Sequence, residues 1–129
     1  MTSLISSIDE TRWDDAQSME LWHMHRDTAK EDCHEHGTNV IFKEHFNLNY
    51  KKDFIGKTIV ESGGGRFPHV AFCGGVKRKI SVEPLYSKLD DYCKQFQNNM
   101  GIEVIECGFE EYEPENGLDI DEVWFFNVL

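Results

Sequence analysis

A doubly wound parallel α/β sheet is the fold this sequence predicts, on three observations. Four short apolar runs at 58–61, 79–82, 102–106 and 122–128 are separated by helical or looped stretches of crossover length, which is the β-α-β alternation of a parallel sheet. The first run feeds three consecutive glycines, Gly63-Gly64-Gly65, where the chain must turn sharply. The fourth run, Val123-Trp124-Phe125-Phe126, is apolar at successive positions, as in a central parallel strand covered on both faces. Right-handed crossovers give the spatial order 3-2-1-4. A ligand is then expected over the C-terminal strand ends, at the reversal between the first and fourth strands.

Composition sets the outer limits. With 129 residues the chain holds one domain, and 40% hydrophobic residues at a mean hydropathy of -0.53 allow a core of ordinary size. No run approaches the ~20 apolar residues of a membrane span. Residues 1–7 lack the basic region and long apolar core of a secretion signal. Four cysteines, Cys33, Cys73, Cys93 and Cys107, form no CxxC pair, so reduced thiols and a cytoplasmic setting are expected. A net charge of -11, with one basic cluster at Lys77-Arg78-Lys79, disfavours a nucleic-acid substrate and suits a small or neutral one.

In chain order, residues 1–50 read as an N-terminal helical extension or lid. Ser7 to Asp9 can cap a helix carrying Trp13, Ala16, Gln17, Met19, Glu20 and Trp22 on an imperfect apolar stripe, suited to a surface or a pocket mouth. Residues 23–37 are polar and read as a loop or frayed helix. Val40, Ile41 and Phe42 make a short patch that can dock on the domain, and 47–57 reads as a linker. The sheet domain occupies 51–129. After the first strand and the glycines, 66–73 reads as a short helix closed by Gly74-Gly75. Pro84 suits the first turn of a second helix running to about Met100, with Leu85, Leu89, Tyr92, Phe96 and Met100 on its buried face and Gly101 as its stop. Pro114 and Gly117 keep 110–119 from forming a long helix.

The glycine turn carries the functional signal. A glycine turn entering a helix gathers unpaired N–H groups and positive dipole at one point, where a nucleotide-like ligand or a carboxylate can sit. About 20 residues on, the second strand ends in Glu83, an acid placed to take both ribose hydroxyls.

At these residues the chain resembles a class I S-adenosylmethionine-dependent methyltransferase, over residues 13–129. The resemblance implies a Rossmann-like three-layer sheet. Glu61-Ser62-Gly63-Gly64-Gly65 is similar to the family's first motif, with Phe67 where a third glycine is usual. By that resemblance Glu61 and the glycine backbone handle the methionine end of S-adenosylmethionine, Glu83 with Pro84-Leu85 binds the ribose, and the segment Cys107-Gly108-Phe109-Glu110 flanks the adenine. Asn127, in the fourth-strand motif, takes a polar position near the reacting methyl. Trp13, Ala16, Gln17, Glu20 and Trp22 are similar to a helix that roofs the pocket in small-molecule and glycan-tailoring members. The family's sheet has seven strands, and this chain stops at four. The sequence is then a truncated product, a chain that pairs through its fourth strand with itself or a second chain, or a degenerate relative that keeps only cofactor binding.

The resemblance implies methyl transfer to a small molecule or glycan, and such a transfer needs chiefly alignment, helped by a base when the acceptor is a hydroxyl or amine. His69 and Asn127 are the catalytic candidates, although an ordinary exposed histidine is the expected reading of His69. A non-catalytic adenosylmethionine- or nucleotide-binding module is the alternative. A nicotinamide-dependent protein is disfavoured because the GxGxxG spacing is absent. His23, His25, Cys33, His34, His36 and His45 prompt a zinc reading, but the HxH and CHxH spacings match no standard finger, so incidental solvated side chains are expected and no metal ligands are assigned.

Overall fold

The structure, a computed structural model, describes residues 31–126. The helix expected over 11–22, His23, His25 and Asn127 lie outside the described residues. Four parallel strands form one sheet in the order expected from the sequence, 3-2-1-4. They are β1 (Thr58–Ser62), β2 (Arg78–Val82), β3 (Ile102–Ile105) and β4 (Glu122–Phe125). In register, Glu61 stands beside Ser81 of β2 and Trp124 of β4, so the order reverses at β1. This is the incomplete Rossmann-like arrangement, with a helix N-terminal to it.

That helix, α1 (Glu31–Val40), runs into a π-helical turn, Ile41–His45. It occupies much of the stretch that reads as a polar loop. Its stability is tertiary. Thr38 is buried, His34 packs on the Phe67 ring at 4.6 Å, and Tyr50 donates a 2.7 Å hydrogen bond to Glu35. None of these contacts leaves an apolar period in the sequence. Phe42 then enters the main core, with ring centroids 5.0 Å from both Phe54 and Trp124 and 5.7 Å from Phe126. Full burial of such a ring contributes roughly 1.5–3 kcal/mol. The expected linker therefore belongs to the core, since Tyr50 and Phe54 are buried in it.

Two expected helices are shorter than their patterns indicate. After the glycines only one 3-10 turn forms, His69–Phe72, because Pro68 holds an extended conformation (φ -58, ψ 141) and delays the entry. The stretch from Pro84 breaks into a 3-10 turn, Tyr86–Lys88, and α2 (Asp91–Asn99). Asp90 starts α2 by accepting from the Cys93 N–H at 2.9 Å, and Leu89 just before it is extended. The restart rotates the buried face. Leu85, Leu89 and Phe96 are inside as expected, but Tyr92 is 56% exposed and Cys93 and Gln97 are buried in its place.

The two sheet faces are covered unequally. The α1 and α2 side holds a large aromatic core built on Phe42, Phe54, Phe67, Phe96 and Trp124. The opposite side holds Val60, Ile80 and Val82, covered by Cys107, Phe109, Tyr112, Leu118 and Ile120 of the irregular β3–β4 crossover. Among the described residues β4 is the edge strand that the order 3-2-1-4 implies, and its run is not covered on both faces as expected: Trp124 is buried on one side and Val123 and Phe125 are exposed on the other. No helix among the described residues is long and apolar enough to cross a membrane.

Candidate ligand site at the glycine turn

The turn follows β1 directly. Gly63 and Gly65 have φ of 65° and 70°, where a side chain is strained. Gly64 is required for a different reason. A Cβ there would lie 2.6 Å from Ser81 Oγ and 2.9 Å from the Pro68 ring. The Gly63 N–H donates to the Val82 carbonyl at 2.8 Å, tying the turn to the tip of β2.

Two buried acids clamp the turn. Glu61 accepts from the Val70 N–H at 2.9 Å and the His69 N–H at 3.2 Å, which satisfies the first donors of the 3-10 turn. Glu83 accepts from the Gly65 N–H at 2.9 Å and the Leu85 N–H at 2.9 Å. Both side chains are 1% exposed. Burial pushes the Glu61 carboxyl up to about 8 from an ordinary value of 4.5, against the two N–H donors that favour its anion, and nearby Glu83 adds to the rise. Burial also raises Glu83, against the pull of its own two donors.

The sequence reading brings Glu61, Gly63, Gly64, Gly65 and Glu83 together, and the fold does the same. It misses Gln97. That amide is 1% exposed and donates from Nε2 to the carbonyls of Gly65 at 2.9 Å and Arg66 at 3.1 Å. A polar residue one step from Phe96 on the buried side of α2 is the only signal it leaves in the sequence. Its Oε1, like Ser81 Oγ beneath Gly64, is buried without a hydrogen-bond partner. Two polar atoms left unsatisfied beside the turn, a hydroxyl and an amide oxygen, are an unusual cost for a native core.

His69 is not an exposed surface histidine. It is half-buried, with its ring 4.7 Å from Phe126, just beyond β4, while its backbone N–H binds Glu61 of β1. The residue is therefore tied to β1 through its backbone and to the end of β4 through its ring. Its Nδ1 is 2.7 Å from Thr38 Oγ1. Burial, with a smaller contribution from His34, lowers it to about 4, so the ring is neutral at ordinary pH.

Other candidates stand apart. Phe109 packs on Phe125 at 4.9 Å in the second core, and Gly108 precedes it on the crossover. Pro84 is half-buried directly after Glu83. Among the described residues no three His, Cys, Asp or Glu side chains are arranged to hold a metal, and all four cysteines are unpaired. His34 and His36, two apart on α1, take different surroundings, against Phe67 and in an outer recess of about 310 Å³ beside Tyr50. A second recess of about 310 Å³ lies at the opposite end of the sheet, between Lys77-Arg78 and the 115–119 turn. Neither adjoins the glycine turn.

The donor set fits S-adenosylmethionine in part. An ionised carboxylate has about four acceptor sites, so Glu83 keeps about two for ribose hydroxyls after its two N–H contacts. Its burial means that a ribose can reach it only once its cover moves. Two buried acids suit a cation such as the sulfonium, which would favour their ionised form. No family model, curated protein or solved structure matches the chain significantly.

Proposed function

We propose that this chain is an S-adenosylmethionine-binding protein of the class I methyltransferase lineage, acting on a small molecule or glycan. One observation carries the reading: the glycine turn after β1 and the acid ending β2 are joined by the 2.9 Å Gly65–Glu83 hydrogen bond, next to the order reversal. Glu83 would hold the ribose. Glu61 and the turn backbone would take the methionine end, and His69 and Asn127 would stand near the acceptor. When bound, the cofactor supplies an electrophilic methyl group. The chain's part is to align it with the nucleophile and exclude water.

A non-catalytic binding module is the second reading, and the enclosure of Glu83 favours it. With both oxygens already on backbone N–H groups, the carboxyl works as an internal clip whether or not a ribose ever arrives.

Calorimetric titration of the purified chain with S-adenosylmethionine and S-adenosylhomocysteine tests both. One-site binding is expected, weakened about 10- to 100-fold by Glu83→Gln, since hydrogen bonds to a charged group contribute roughly 1.5–3 kcal/mol. Circular dichroism of the variant checks that the clip has not simply been lost with the fold. A folded chain that takes up neither ligand removes the proposal. Binding with no methyl transfer to any hydroxyl, amine or glycan acceptor leaves the module.

A further inference from the structure

We propose that Thr38 fixes His69 in the tautomer protonated at Nδ1, leaving a bare Nε2 as the hydrogen-bond acceptor for the O–H or N–H of a ligand at the β1–β4 reversal. That this ligand is a methyl acceptor rests on the function proposed above.

Thr38 Oγ1 has one proton to give. It is given to the His34 carbonyl, 3.0 Å away, in the back-bond that helical threonines make to the preceding turn. The same oxygen lies 2.7 Å from His69 Nδ1, and with its proton turned to the carbonyl it accepts there, which assigns the hydrogen to Nδ1. A neutral imidazole has one N–H, so Nε2 keeps its lone pair. Thr38 is fully buried, so water does not compete for the oxygen.

Position gives the lone pair a use. The backbone N–H of His69 is held by the Glu61 carboxyl of β1 at 3.2 Å, and its ring meets Phe126, just beyond β4, edge-on. Open α/β sheets bind ligands at this reversal. The titratable groups around it are His34 and Glu61. A buried imidazole that stays neutral is a weak base near pH 7 but a good acceptor. It can orient a hydroxyl or amine without removing its proton, which is most of what an alignment-limited transfer requires. Thr38 is thus a positioning residue acting through His69.

Imidazole nitrogen NMR of the uniformly ¹⁵N-labelled full chain tests the tautomer without any ligand. His69 is expected to show a protonated Nδ1 and a bare Nε2 from pH 8 down to pH 6. Thr38→Val should move the hydrogen to Nε2 or mix the two forms, and Thr38→Ser should restore the original spectrum. Diethyl pyrocarbonate then probes access. The bare Nε2 attacks one carbonyl carbon, ethyl carbonate leaves with the bond pair, the Nδ1 proton is lost to solvent, and the carbethoxyl group stays on the neutral ring. Mass spectrometry of the His69 peptide should find the adduct in the wild-type chain and several-fold less in Thr38→Val. An Nε2-protonated His69 in the wild-type chain overturns the proposal even if Thr38→Val fails to fold. So does a Thr38→Val spectrum identical to wild type, or a His69 inert to the reagent. A fixed tautomer and a reactive His69 in a chain that ignores S-adenosylmethionine uphold the inference and remove only the methyl acceptor as its ligand.

Discussion

The two ends of the sheet treat the same side chain in opposite ways. At the N-terminal ends of the strands, glutamates are half-buried or exposed and meet cations. Lys57 pairs with Glu122 at 2.5 Å, and Arg78 pairs with Glu103 at 2.5 Å and also with Glu115. At the C-terminal ends Glu61 and Glu83 are enclosed and held by backbone N–H groups. The pKa directions follow. The Arg78 hydrogen bond lowers Glu103, whereas burial raises Glu61 and Glu83. Exposed pairs are weakened by solvent and salt. A buried acid carries a desolvation cost that surface pairing never meets. The end of the molecule that bears this cost is where polar recognition is expected.

The largest effect is expected at Glu61. Glu61→Ala leaves the His69 and Val70 N–H groups without their acceptor and should destabilise the fold by about 2–4 kcal/mol in urea unfolding. An unchanged midpoint would mean that the clamp is incidental. The same residue sets a pH sign. With its folded value raised from 4.5 to about 8, the native chain keeps a proton that the unfolded chain has released between those values. Its contribution is complete below about pH 4.5 and is lost as pH rises through 8. Glu103, lowered by Arg78, works the other way, contributing above its unfolded value and losing that contribution in acid. Glu61→Gln should therefore flatten the loss of stability between pH 5 and pH 8, read from the urea midpoint at each pH.

Gly64 sharpens the same contrast with a smaller effect. Gly64→Ala sets a methyl against Ser81 Oγ and the Pro68 ring and should cost about 1–3 kcal/mol. Adding Ser81→Ala should recover part of this, since it removes the nearer atom. A double variant no better than the single one would put the strain on Pro68 alone. The smallest change belongs to the other end of the sheet. Arg78→Ala removes two exposed ion pairs, and its urea midpoint should stay close to wild type, with any difference disappearing in high salt. A large, salt-insensitive loss there would erase the distinction between the ends.

Some of this was written locally. The four strands, their order and the glycine turn follow from short-range signals: apolar runs bounded by turn residues, an acid closing the second strand, and glycines at two positions of positive φ. Crossover handedness then leaves few ways to arrange the sheet. Local pattern also misled where one residue changed the phase. Pro68 shortened the helix after the turn, and the Asp90 cap restarted α2, exposing Tyr92 and burying Gln97.

Short-range signals thus suffice for the parallel sheet and for bringing Gly63, Gly64, Gly65, Glu61 and Glu83 to one end of it. Tertiary structure alone decided that the two acids would be enclosed, that Gln97 would hold the turn, and that Thr38 would meet His69. Thr38 and His69 are 31 residues apart, and Gln97 and Gly65 are 32. Periodicity and turn chemistry act over a few residues. A hydrogen bond between distant side chains depends on how the packed elements finally align, and no local pattern records that alignment.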